Sequence, residues 1–125
     1  VGGRLVMMLS EKLPDSWELS AVGTNALATT TMLKAGAKQG ATGENAVIYN
    51  AGRADLILGP IGVVVANGIL GEVSPQMAAA VSGAEAAKIL IPSASCGVVV
   101  AGAASLRLED LLQNAVDLAL RHMNP

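Results

Sequence analysis

A chain of 125 residues, 52% of them hydrophobic and only 14% charged, can bury one core and is expected to form a single domain over residues 1–125. Its net charge of −2, its scattered Lys and Arg residues and its two aromatics, Trp17 and Tyr49, exclude a nucleic-acid surface built on a basic stripe or a stacking platform. One cysteine cannot form an internal disulfide, and no apolar run approaches the roughly 20 residues of a membrane span, so a cytoplasmic protein is expected.

The chain opens on Val1-Gly2-Gly3-Arg4, which reads as the end of a glycine-rich turn feeding a helix over 4–13. Leu5, Met8, Leu9 and Lys12 recur at helical spacing, and Pro14 lies just past the end. A glycine turn at a helix N-terminus is a ready anion site, because free N–H groups point outward there. Residues 17–22 alternate enough to predict a strand that stops at Gly23-Thr24-Asn25. A helix over 26–35 follows, with Asn25 or Thr24 as its N-cap.

Residues 36–45 read as a loop. Within it Gly40, Ala41, Thr42, Gly43, Glu44 and Asn45 form a cluster that could wrap an anionic or ribose group. Residues 46–49 are expected to be a strand and 50–53 a turn. The next run, Ala54 to Leu58, is short and apolar apart from Asp55, and is closed by Gly59-Pro60-Ile61-Gly62. It predicts a buried strand and a tight turn. Such turns, at the carboxyl ends of strands, are where open α/β sheets bind ligands.

Residues 61–70 predict a short apolar helix, with a strand paired as a hairpin as the alternative. Asn67 within it needs a partner if buried. Ser74 fits an N-cap and Pro75 the first position of a further helix. Residues 87–91 predict a strand ended by Pro92, residues 93–97 a turn holding Cys96, and 98–100 a last short strand. Residues 107–122 carry Leu108, Leu111, Leu112, Ala115, Val116 and Ala119 on one helical face.

This alternation predicts an α/β fold of three layers, with a mostly parallel sheet and helices on both faces. The chemistry is sparse. One Cys and one His leave too few ligands for a zinc site, so no metal is expected. There is no Walker P-loop and no nucleophile elbow. Glu44, in its glycine loop, is the first acid/base candidate, with Glu72 second and Cys96 a candidate nucleophile. The Ala- and Val-rich composition also fits a homo-oligomer, a dimer in the simplest case, acting as a non-catalytic interaction module.

The motifs Gly23-Thr24-Asn25-Ala26-Leu27-Ala28-Thr29, Gly40 to Ala46 and Asp55 to Gly62, with Ile89 to Pro92 and Cys96, form a series. It resembles a family of short bacterial conserved hypothetical proteins, domain of unknown function thirty-eight forty-two. Members begin with a strand and a turn of the form D-G-Q-G-G-G-I-G, and Val1-Gly2 resemble its last two positions. The resemblance implies that a first strand and most of that turn precede Val1. It also implies a Rossmann-like fold and a nucleotide or dinucleotide as ligand. The acidic residue that holds a ribose after the second strand of such folds has Gly23-Thr24-Asn25 in its place. The expected function is therefore binding of a nucleotide or phosphorylated small molecule. Its site would be made by Gly2, Gly3, Gly23, Thr24, Asn25, Gly40, Thr42, Gly43, Glu44, Asn45, Gly59, Pro60 and Gly62.

Overall fold

The computed structural model describes residues 1–93 and 97–123. Helix α1, Gly2–Lys12, buries Leu5, Val6 and Leu9, and its last turn carries Lys12. Strand β1, Ser20–Gly23, leads into α2, Ala26–Ala35. Asn25 caps that helix as its sequence predicts, its side-chain oxygen accepting from the Ala28 N–H at 2.8 Å. Strand β2, Gln39–Thr42, leads into α3, Glu44–Ala51. Strand β3, Leu56–Pro60, runs into a 3-10 turn at Ile61–Val64. Helix α4, Pro75–Ser82, starts at the Ser74 cap, whose Oγ accepts from Met77 N–H at 3.1 Å. Strand β4, Ala87–Ile91, and helix α5, Leu108–Met123, complete the order.

The fold is α/β with parallel strands. β1 pairs with β2, Ser20 beside Gln39 and Gly23 beside Thr42. β3 pairs with β4, Leu56 beside Ala87 and Pro60 beside Ile91. Among the described residues the strands form two ladders of two. Side chains alternate across a strand, so Ala21, Gly23, Gly40 and Thr42 share one face. That face meets α1 and α2, since Ala21 packs with Val6 and Gly40 lies against Thr29 and Leu33. α3 packs on the same two strands and on α4.

The main core lies between α1, α5 and the β3–β4 ladder. Leu5 and Leu9 meet Ile91, Leu112, Ala115, Val116 and Ala119, with Leu56, Leu58 and Ile89 at the margin. A smaller cluster joins Val6, Ala21 and Ala37. A third joins Val73, Met77 and Ala78 beside Val47 and Ile69.

Several local expectations are corrected. Gly2 and Gly3 lie inside the first turn of α1, not in a turn ahead of it. A Cβ at Gly2 would stand 2.8 Å from Met32 Sδ and one at Gly3 3.1 Å from Thr31 Cγ2. These glycines therefore let α1 approach α2. The loop expected over 36–45 contains strand β2, and its last two residues begin α3. Residues 46–49 are helical, not a strand. Four apolar residues cannot decide between the two periods, and Glu44 in the first turn favours the helix. Residues 61–70 hold only a four-residue 3-10 turn, and because β3 pairs in parallel with β4 there is no hairpin there. Asn67, Ile69 and Leu70 take positive φ values of 64°, 53° and 53°, which no α-helix tolerates. Val98–Val100 form no strand.

Candidate functional site

The carboxyl ends of β1 and β2 carry a hydrogen-bonded cluster. Thr29, buried in the first turns of α2, places its Oγ1 2.8 Å from Thr42 Oγ1 at the end of β2. The same hydroxyl lies 3.2 Å from the Asn25 carbonyl and 3.3 Å from that of Ala41. Thr29 thus joins the end of β1 to the end of β2 through one side chain. Gly43 N–H donates to the Gly23 carbonyl at 3.0 Å, so the two turns are also tied through backbone.

Glu72 enters this cluster from the loop ahead of α4. Thr24 Oγ1 donates to its Oε2 at 3.0 Å, and Asn25 Nδ2 donates to its Oε1 at 3.0 Å and Oε2 at 3.3 Å. One neutral amide therefore caps α2 with its oxygen and holds a carboxylate with its nitrogen. Glu44, in the first turn of α3, accepts from Ser74 Oγ, the cap of α4. The N-termini of α2, α3 and α4 meet here with two carboxylates, both exposed. Helix N-termini favour negative charge, and the carboxylates offset part of that field.

The loop between β3 and α4 delivers Glu72. Val73 N–H donates to the Gly68 carbonyl at 3.1 Å, and Asn67 N–H donates to the Val73 carbonyl at 2.7 Å. Gly68 is pressed onto the 3-10 turn, so that a Cβ there would overlap the Gly62 carbonyl. Pro60, Ile61 and Gly62 therefore lead through this folded loop to Ser74. Asn67 is exposed, so its side chain needs no buried partner, and it serves the loop through its backbone in the left-handed region, where Asn is well tolerated.

Of the residues expected at a site, Gly23, Thr24, Asn25, Thr42, Gly43 and Glu44 stand together on this rim. Gly40 lies inside β2 under α2, where a Cβ would stand 3.0 Å from Thr29 Cγ2. Asn45 is exposed in the first turn of α3. Gly59 and Gly62 are buried, Gly59 within β3 and Gly62 in the 3-10 turn that follows Pro60. Gly2 and Gly3 pack on α2. Cys96 lies outside the described residues. Glu72 and Ser74 are the members that the site expected from sequence leaves out. Glu72 reads there as a second-rank acid, because its partners Thr24 and Asn25 lie 48 and 47 residues away.

A model for the family described as a domain of unknown function (DUF3842) matches residues 1–124. The chain belongs to this family. No curated protein and no solved structure gives a significant match. Membership fixes kinship across the length of the chain and leaves the chemistry to be argued from the rim itself.

Two further features bound that chemistry. Among the described residues no group of three His, Cys, Asp or Glu side chains is placed to hold a metal ion, and no helix is long and apolar enough to cross a membrane. A shallow recess of about 570 Å³ is lined by residues that include Ile48, Arg53, Asp55, Ala80, Gly83 and Glu85. It sits beside the starts of β3 and β4 and holds none of the rim residues. Ligands of open α/β sheets bind at the carboxyl ends of strands, so the rim is the better candidate.

Proposed function

We propose that this protein binds a nucleotide, or a phosphorylated sugar of similar shape, across the carboxyl ends of β1 and β2. The observation that supports it is the Glu72 carboxylate held by Thr24 and Asn25 at the end of β1. In dinucleotide folds an acidic side chain at that strand end accepts from ribose hydroxyls. Gly23-Thr24-Asn25 supplies no acid of its own, and Glu72 brings one from another loop. On this reading Glu72 takes the ribose, while the hydroxyl of Thr42 and the backbone N–H groups that open α3 take a phosphate. Gly43, with φ at 102° and no atom within 4 Å of a Cβ position, leaves that approach open.

Thermal unfolding of the chain with a panel of nucleotides tests this. A binding nucleotide at a hundred times its dissociation constant should add about 2.7 kcal/mol of stability. Glu72→Gln keeps the shape and removes the charge. It should leave the unliganded protein within about 0.5 kcal/mol, as an exposed substitution does, and should weaken the shift given by ribonucleotides. A panel with no shift, or a shift untouched by Glu72→Gln, would overturn the assignment.

A second reading rests on exposed apolar side chains. Leu27 on α2 is 77% exposed and Val99 79% exposed. We infer from these a homo-oligomer, a dimer being the simplest closed form. Sedimentation should show a concentration-dependent dimer that Leu27→Glu dissociates, whereas a monomer at all concentrations removes this reading.

A further inference from the structure

The loop between the 3-10 turn and α4 is bent in a way that its residue types resist. Asn67, Ile69, Leu70 and Gly71 take positive φ values of 64°, 53°, 53° and 88°. Glycine and asparagine visit that left-handed region readily. A leucine or a β-branched isoleucine does not, and each is disfavoured there by roughly tenfold. Residues held in such conformations persist only where their surroundings over-determine them, and they gather at clamps and switches.

The surroundings hold this loop unevenly. Its base is fixed, since Asn67 N–H donates to the Val73 carbonyl at 2.7 Å and Val73 N–H to the Gly68 carbonyl at 3.1 Å. Gly68 is wedged against the Gly62 carbonyl, and Val73 is fully buried. Ile69 packs on the cluster of Val73, Met77 and Ala78, so burial offsets its strain. The tip has much less. Leu70 is 98% exposed, and a Cβ at Gly71 would meet no atom within 4 Å. Gly71 N–H donates to the Asn67 carbonyl and Glu72 N–H to that of Ile69, both at 3.0 Å, and these bonds stay within the loop. The contact that carries the tip across to the end of β1 is the Glu72 carboxylate, accepting from Thr24 and Asn25.

Two effects therefore oppose each other. Strain at Leu70 drives the tip out of its turn, and no packing of the leucine side chain answers it. The donors of Thr24 and Asn25 draw the tip back. Both donors are half-buried and Glu72 is exposed. Hydrogen bonds made so close to water hold by about tenfold, the same order as the strain. A spring and a latch of similar strength leave both settings populated.

We propose that residues 70–72 are a flap over the rim, hinged at Ile69 and Val73, which packing holds, and latched by Glu72. Latched, the flap seats a carboxylate on Thr24 and Asn25. Released, Leu70 leaves the left-handed region and both donors face solvent. A rim ligand that donates to Glu72 adds contacts to the latched setting alone and so closes the flap. That last step rests on the ligand reading above, whereas the hinge, the strain and the latch do not.

Amide hydrogen exchange of the ligand-free chain, read residue by residue as protection over the intrinsic rate, tests the device. Gly71 and Glu72 should be less protected than Asn67 and Val73, because the flap opens while its base stays clasped. Leu70→Asn replaces a side chain that packs on nothing with one that tolerates the left-handed region. It should raise protection at Gly71 and Glu72 by about fivefold. Thr24→Val removes one donor, 48 residues away in sequence. It should lower protection at the same two amides by about fivefold and leave Asn67 and Val73 unchanged. The two changes together should nearly cancel. Four amides that open together would overturn the proposal. So would protection at Gly71 and Glu72 that Leu70→Asn fails to raise, or that Thr24→Val leaves untouched. No ligand enters this experiment, so its outcome is separate from that of the nucleotide panel.

Discussion

Leu112→Ala is expected to destabilise the protein by about 2–5 kcal/mol, the range for deleting a fully buried leucine side chain. Leu112 is wholly buried at the centre of the main cluster, between Leu5 and Leu9 of α1 and Ile91 of β4. Its removal leaves a void bordered by three separate elements, and a site fixed from three sides collapses poorly. A domain of this size has only about 5–15 kcal/mol in total, so the loss should be plain in a urea titration. Leu108→Ala, on the same helix but 46% exposed, should cost much less. Equal losses from the two would mean that α5 does not dock as described.

The contrast between those two leucines was legible in the sequence only in part. The apolar stripe of α5 announces a helix and the face it buries, yet periodicity places Leu108 and Leu112 on that face alike. The structure ranks them, with Leu112 inside the main cluster and Leu108 outside it. Strand β4 and the Ser74-Pro75 start of α4 were equally legible, each resting on a local rule. Strand β2 is hidden because Gln39-Gly40-Ala41-Thr42 has no apolar alternation and a single β-branched residue, Thr42. It is a strand through its pairing with β1, a contact no local window contains. Residues 46–49 failed for the opposite reason, since Val47, Ile48 and Tyr49 suit a strand alone and a helix in this setting.

The candidate site divides in the same way. Gly23-Thr24-Asn25 and Thr42-Gly43-Glu44 stand out because glycine and short polar residues concentrate where strands end. Their joining by Thr29 is not legible, since its partner Thr42 lies 13 residues on and meets it only through the pairing of β1 with β2. Only Thr29 faces the strands, while Thr31 bonds back to the Leu27 carbonyl at 2.9 Å. Glu72 ranks only second among the acids in sequence because Thr24 and Asn25, which hold it, lie 48 and 47 residues away. Long-range partners are what a local reading lacks.

Gly23→Ala should cost about 2–4 kcal/mol, from overpacking and from hydrogen bonds lost around a buried hydroxyl. A Cβ at this position would stand 2.8 Å from the Thr29 backbone nitrogen and 2.9 Å from the Asn25 carbonyl oxygen, and would overlap Thr29 Oγ1. Two of those atoms are backbone, so the start of α2 has to move. Moving it pulls Thr29 from Thr42 and Asn25 from Glu72, and the rim loses the geometry that the proposed ligand needs. Gly43→Ala is the informative partner. There the space is open and only the backbone, with φ 102° and ψ −179°, resists a side chain, so the cost should be about 1–3 kcal/mol and come from strain at one residue alone, leaving Thr29 on Thr42. Chemical denaturation of the two variants separates them. If Gly23→Ala costs less than about 1 kcal/mol, then α2 does not bear on β1 closely enough for Thr29 to join the two strand ends.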